Sequence, residues 1–182
     1  GETPDDLSLG EIPLIETMEI TPDIARRALD SYLLVSEKYK DAELEAMQKA
    51  SVRGVRLNLE TAGVNDPVAS RTQFLKIAAR VAPLGWHVQF FTNLNVIAAL
   101  EETFAASPVP IVIDHFGRAV ASKGLQQPGF DALLRLMQSG KAYVKLSGAH
   151  RVSQRPDCAD AADFAKALIA ANADRILWGT DW

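Results

Sequence analysis

Five times after Val52 the sequence runs from a short apolar stretch into polar or charged side chains and then into a helical repeat. The stretches are Gly54–Leu59, His87–Thr92, Val109–His115, Ala142–Ser147 and Arg175–Gly179, the last continuing to an acid at Asp181. They recur at intervals of roughly two to three dozen residues, room for a crossover helix and far more than a hairpin needs. Strands that alternate with helices in this way form a parallel sheet with right-handed crossovers. Tyr32–Val35 reads as a further short strand.

The helical stretches between them have start and stop signals. Thr21-Pro22 reads as a cap followed by proline, opening a helix with Ile24, Ala28 and Leu29 inward. Asp41 is expected to cap a helix burying Leu44 and Met47. Asp66-Pro67 opens the next, with Phe74, Leu75, Ala78, Val81 and Ala82 on one face and Gly85 beyond its end. Val96, Ile97, Leu100 and Phe104 repeat the spacing, as do Phe130, Leu133, Leu134 and Met137. A last helix carries Phe164, Leu168 and Ile169 and stops at Asn172. Trp86 and Trp178 are read as core.

The expected fold class is therefore α/β, a parallel (β/α)₈ TIM-type barrel. Such barrels take about 250 residues and rarely fewer than about 200. A chain of 182 residues is thus expected to hold an incomplete barrel, about six of the eight βα units, over residues 21–182. Residues 1–20 carry six acids and no base; they are read as an acidic leader and left unassigned.

Composition narrows the function. The net charge of −4 comes without a basic run or stripe, which argues against nucleic acid. A single cysteine, Cys158, excludes an internal disulfide and suits a reducing compartment. No apolar run is long enough to cross a bilayer. A cytoplasmic protein without a membrane or nucleic-acid partner is the expectation.

Alternation divides each strand into two faces. Val55, Leu57 and Leu59 make one face of the first strand, and Gly54, Arg56 and Asn58 the other. The same split sets His87 and Gln89 against Val88 and Phe90, and Tyr143, Lys145 and Ser147 against Ala142, Val144 and Leu146. In the last strand it sets Leu177, Gly179 and Asp181 against Ile176, Trp178 and Thr180. The polar faces, with Ile111, Ile113 and His115 from the third stretch, are expected to point into the barrel. Asp114 is then expected on the opposite side from His115, as a structural acceptor. Burying such ions costs several kcal/mol each unless they are paired. One explanation is a structural ion network, which suits His87 and Lys145 best. The other is an active site at the C-terminal strand ends, where barrel enzymes keep their chemistry.

Five motifs in register carry a resemblance. Gly54-Val-Arg-Leu-Asn58, Gly85-Trp-His-Val-Gln89, Val112-Ile-Asp-His-Phe-Gly-Arg118, Lys145-Leu-Ser-Gly-Ala-His-Arg151 and Leu177-Trp-Gly-Thr-Asp-Trp182 resemble the amidohydrolase superfamily. The similarity is greatest to its branch of pyrone-dicarboxylate and sugar-acid lactonases, from about Tyr32 to Trp182. The resemblance implies that Asp181 is the general base toward the hydrolytic water and His115 the histidine of the catalytic centre. It implies that Arg56 and Arg151 hold substrate carboxylates. Asn58 and Ser147 are read as hydrogen-bonding either substrate or each other, and Gln89 as a further substrate-binding group. Lactone opening needs a base for water and a cationic or hydrogen-bonding group for the oxyanion, and arginine is the usual bidentate partner of a carboxylate.

Two family features are missing. The superfamily's first strand has a His-x-His pair, whereas the histidines here are His87, His115 and His150. The resemblance therefore implies that the first two strands are absent, and that residues 1–182 are inactive alone or are part of a longer enzyme. A second substrate arginine expected soon after Arg56 is also absent, with Ala62 near its place. Whether a divalent metal such as Zn²⁺ takes part is left open, since the chain offers at most His115 and Asp181 as ligands. The expected activity is hydrolysis of a lactone, or a related C–O or C–N bond, in a small carboxylated substrate. The alternatives are a metal-dependent decarboxylase of a related barrel family and a non-catalytic anion-binding barrel. A homodimer is left open.

Overall fold

Five parallel strands form one sheet in which neighbours in space are neighbours in sequence, in the order β1-β2-β3-β4-β5. They are β1 (Gly54–Asn58), β2 (His87–Phe91), β3 (Ile111–Ile113), β4 (Ala142–Leu146) and β5 (Ile176–Trp178). A doubly wound sheet reverses its strand order at a switch point; this one never does. The fold is α/β of the TIM-barrel type, and the described residues supply five of its parallel strands. The computed structural model describes residues 40–60, 63 and 66–181. All of these lie in one of the two units into which the chain divides, Ser31–Trp182. The acidic leader, the helix expected after Thr21-Pro22, the strand at Tyr32–Val35 and Ala62 fall outside the described residues.

The helices follow from local chemistry. Helix α1 (Asp41–Lys49) begins one residue earlier than the cap reading had it. Lys40 is the N-cap residue and Asp41 the first helical one. Glu43 turns back to accept the Lys40 backbone N–H at 2.7 Å. Helix α2 (Pro67–Val81) opens as expected, with the Asp66 carboxylate accepting from the Val68 and Ala69 amides and proline supplying a preset first turn. Its buried face is Phe74, Ile77, Ala78 and Val81; Leu75, expected inside, is exposed. Leu75 follows Phe74 directly, and the roughly 100° between successive helical residues carries it off the face.

The Val96–Phe104 repeat is buried as expected but forms two short helices, α3 (Leu94–Ala99) and α4 (Glu101–Ala105), which meet at Leu100. Helix α5 (Phe130–Gln138) buries Phe130, Leu133, Leu136 and Met137. Helix α6 (Ala161–Ala171) buries Phe164 and Leu168 and leaves Ile169 exposed, against expectation and for the same angular reason as Leu75. Asn172 ends α6, accepting from the Asp174 amide and donating to the Met137 carbonyl. Among the described residues no helix is long and apolar enough to cross a membrane.

The core lies between the outer sheet face and the helices. Phe74, Phe90 and Phe104 pack as a triangle of rings with centroids 4.8–5.4 Å apart, a spacing at which tilted aromatic pairs attract. Trp86 joins this core. Trp178 does not: it is 80% exposed. Strand β5 pairs only with β4 among the described residues, and nothing described covers its outer side.

Strand β3 overturns one face assignment. Its register sets Val112 level with Gln89 on one side and Tyr143 on the other. Val112 therefore shares the polar face of the sheet, while Ile111 and Ile113 are fully buried in the helix-side core. The alternation had been counted back from His115. The strand ends at Ile113, so that count is one residue out of phase.

Candidate active site

Everything at the strand ends depends on how the chain leaves β3. Pro110, which lacks an N–H, precedes the strand, and four successive residues after Asp114 have positive φ: His115 49°, Phe116 55°, Gly117 65° and Arg118 58°. The left-handed region costs a non-glycine residue roughly 1–2 kcal/mol, so this turn needs holding. Phe116 is buried in the core, and the Gly117 amide bonds back to the Asp114 carbonyl at 3.0 Å. A side chain at Gly117 would come within 2.8 Å of Leu133. The tight turn carries His115 and Arg118 both toward the mouth of the sheet.

Two layers of charge result. The deeper one centres on Asp114, which is 1% exposed. Its carboxylate accepts from Arg56 Nε at 2.7 Å and from Gln89 Nε2 at 2.9 and 3.0 Å, and Lys145 Nζ lies 3.2 Å away. Asp114 thus faces the same side as Arg56, Gln89 and Lys145, not away from them as expected. Here it is an ion-network acceptor that joins β1, β2 and β4. The outer layer joins the ends of β3, β4 and β5. His115 Nδ1 is 2.9 Å from the buried Ser147 hydroxyl. Its Nε2 faces Asp181 Oδ1 at 3.7 Å. Arg151 Nε donates to Asp181 Oδ2, and His150 Nε2 stands 3.9 Å from the same oxygen.

Gly148 lets these three loops close. Its φ is +61°, and a Cβ there would lie 2.8 Å from Asp181 Oδ2 and 3.0 Å from His115 Nδ1. Its amide donates to the Thr180 carbonyl at 3.4 Å, which brings the segment bearing Asp181 against the end of β4.

The protonation states follow. Burial pushes the His115 imidazole below its ordinary 6.5, and Arg151 adds to that against the pull of Asp114 and Asp181. Burial also works to raise Asp181, but the Arg151 hydrogen bond and the His115, Arg151 and His150 charges outweigh it. Its carboxyl is held below the ordinary 3.8. At neutral pH the pair is a neutral imidazole beside an ionised carboxylate.

The structure brings Arg56, His115, Arg151 and Asp181 to one mouth. Ser147 joins them through His115, and Asn58 closes β1 level with Phe91 in the register. Gln89 directs its amide at Asp114, one layer down. Two participants, Arg118 and Phe91, were not singled out from sequence. Arg118 arrives by the left-handed turn and pairs with Glu60 at 3.6 Å. Lys145 and Asp114, both read from sequence as structural, form the deeper layer. Phe91 packs edge-on against His115, ring centroids 5.3 Å apart. Alternation from His87 and Gln89 was signal enough for Phe91; for Arg118 no strand or helix period applies. Among the described residues Arg56, Arg118, Arg151 and Lys145 face Asp114, Asp181 and Glu60, an excess of one cation that favours an anionic ligand.

For a metal ion the donors are few. Among the described residues no group of three or more His, Cys, Asp or Glu side chains is placed to hold one. His115 Nδ1 is engaged by Ser147, and Asp181 carries the Arg151 guanidinium, a poor neighbour for a second cation. These residues by themselves do not fit a divalent metal.

Comparison with known proteins gives the family and the fold. The family model described as Amidohydrolase matches residues 14–182. The chain is 32% identical over 158 residues to a 2-pyrone-4,6-dicarboxylate hydrolase of Comamonas testosteroni, covering 81% of this chain and 51% of that protein. It is 31% identical over 167 residues to a 4-sulfomuconolactone hydrolase of Hydrogenophaga intermedia, covering 90% and 55%. A crystal structure from Pseudomonas putida, assigned as a 2-pyrone-4,6-dicarboxylic acid hydrolase, superposes with a TM-score of 0.72 at 34% identity, covering 88% and 62%. The chain spans about half the length of the curated relatives it matches.

Proposed function

The chain belongs to the amidohydrolase family, and from that premise we propose that it takes part in hydrolytic opening of a lactone whose small substrate bears at least one further acid group. One observation carries the reading: Asp181 stands beside His115 at a mouth where three arginines gather. The relatives' substrates, as their names state, are a pyrone dicarboxylate and a sulfomuconolactone, both lactones with acid groups.

In the proposed reaction Asp181 accepts a proton from water as its oxygen adds to the lactone carbonyl carbon. The tetrahedral oxyanion is stabilised by hydrogen-bond donors at the mouth, for which His115 and Arg151 are placed. Collapse breaks the ring C–O bond, and the leaving alkoxide takes up the proton that Asp181 accepted, giving a hydroxy acid and restoring the carboxylate. Arg56 and Arg118 bind the substrate's other acid groups. A cytoplasmic setting belongs to the same proposal, supported by the lone unpaired Cys158.

The test is to give the native protein a carboxylated lactone and its methyl ester. The acid should be preferred about 10- to 100-fold in kcat/KM, the equivalent of one charged hydrogen bond of about 1.5–3 kcal/mol. Each turnover should open one ring and release no CO₂. Equal rates on acid and ester, or CO₂ as product, would sink the proposal, the second in favour of a decarboxylase.

A further inference from the structure

We propose that Phe91 is a specificity-determining platform, a single phenyl ring that sets the mutual spacing of three arginines and so favours ligands with two or more carboxylates over those with one. The inference rests on the anion-binding reading above and adds a residue and a selection rule to it.

Three guanidinium groups surround this ring. The Cζ atoms of Arg56, Arg118 and Arg151 lie 5.2, 5.5 and 5.9 Å from its centroid. They come from three separate places: β1, the left-handed turn after β3, and the turn after β4. Each also meets its own carboxylate, Asp114, Glu60 and Asp181 respectively. An aromatic face is negative and attracts a cation within about 6 Å of its centroid. One ring therefore offsets part of the repulsion among three like charges and gives them a common reference position.

The ring itself is fixed. It is 8% exposed. The Phe91 carbonyl accepts from both the Leu59 and the Glu60 amides at 3.1 Å, which ties it to the segment carrying Arg118's carboxylate partner. His115 packs on it nearly perpendicular, at 85°. Phe91 has no group that could take part in proton transfer, so its effect is on which ligand is held and how.

The experiment is calorimetric titration of the native protein with benzoate, benzene-1,3-dicarboxylate and benzene-1,3,5-tricarboxylate. Three proteins are compared: wild type, Phe91→Leu, and the chain with pentafluorophenylalanine in place of Phe91. The fluorinated ring keeps the shape and reverses the sign of the face, so it tests the electrostatic role even if the leucine variant folds poorly. Wild type should bind the dicarboxylate about tenfold or more tighter than benzoate. In both variants that ratio should shrink to within about threefold, with benzoate affinity little changed. A fluorinated protein that keeps the wild-type ratio, or that weakens all three ligands equally, overturns the platform role while leaving the anion site standing. Wild type that binds all three alike overturns the selection rule alone; wild type that binds none of them overturns the anion-binding reading and the inference together.

Discussion

Asp181→Asn should lower turnover of a carboxylated lactone by about 10²- to 10⁴-fold, the usual worth of a positioned general base. The amide matches the carboxylate in shape, and Asp181 lies on a partly open mouth, so the fold should survive the change. What disappears is the proton acceptor, along with the anion that Arg151 holds. Because that arginine and the neighbouring histidines keep the carboxyl below 3.8, the wild-type base is ionised throughout the neutral range. The deficit should therefore be the same from about pH 6 to about pH 9 and should not be rescued by raising the pH. Steady-state kinetics on the native protein check this. Turnover within tenfold of wild type would remove Asp181 from the role.

Asp114→Ala should be the most destabilising single change at the strand ends, by about 3 kcal/mol. Removing the acid of a buried ion cluster withdraws the charge that its cations share, and here both Arg56 and Lys145 lose their common carboxylate. The figure is taken at the low end of the usual range because those two side chains are 24% and 30% exposed, so solvent screens part of the repulsion. Gln89 loses its acceptor as well. Asp114→Asn, which keeps an acceptor oxygen, should cost less. Urea denaturation with an unchanged slope would show the difference as a shift in midpoint. A loss below about 1 kcal/mol would mean that the cluster is no more than a solvated surface arrangement.

The sequence left two explanations for polar side chains inside the sheet, an ion network and a reactive site. Lys145, Gln89 and Asp114 form an ion network at the deeper level, while His115, Arg151 and Asp181, the residues proposed to react, gather at the mouth above it. Strand positions were legible because short apolar stretches alternate with helical repeats from Val52 onward. Asp66-Pro67 shows why: the cap and the proline act within one turn, where tertiary context has little to override.

What could not be read was backbone that leaves its period. His115 lies two residues past the end of β3 in a left-handed turn, so counting back from it put Ile111 and Ile113 on the wrong face and turned Asp114 away from its partners. Arg118 reaches the mouth by the same turn, beyond the range of any helical or strand repeat. Leu75 and Ile169 fail for a different reason: each sits one residue beyond the angular edge of its helix's buried stripe. Trp178 has the apolarity of a core residue but no described neighbour to bury it.

The adjacency of His115 and Asp181 is what the whole account stands on, and a side-chain NMR titration of the His115 ring reads it directly. The imidazole should titrate below 6.5 in the wild type. In Asp181→Asn it should titrate lower still, because the nearby negative charge that favours its protonated form is gone and Arg151 is left unneutralised. A His115 that titrates at or above 6.5, or whose midpoint is indifferent to Asp181→Asn, would contradict the shared mouth and the hydrolase reading built on it.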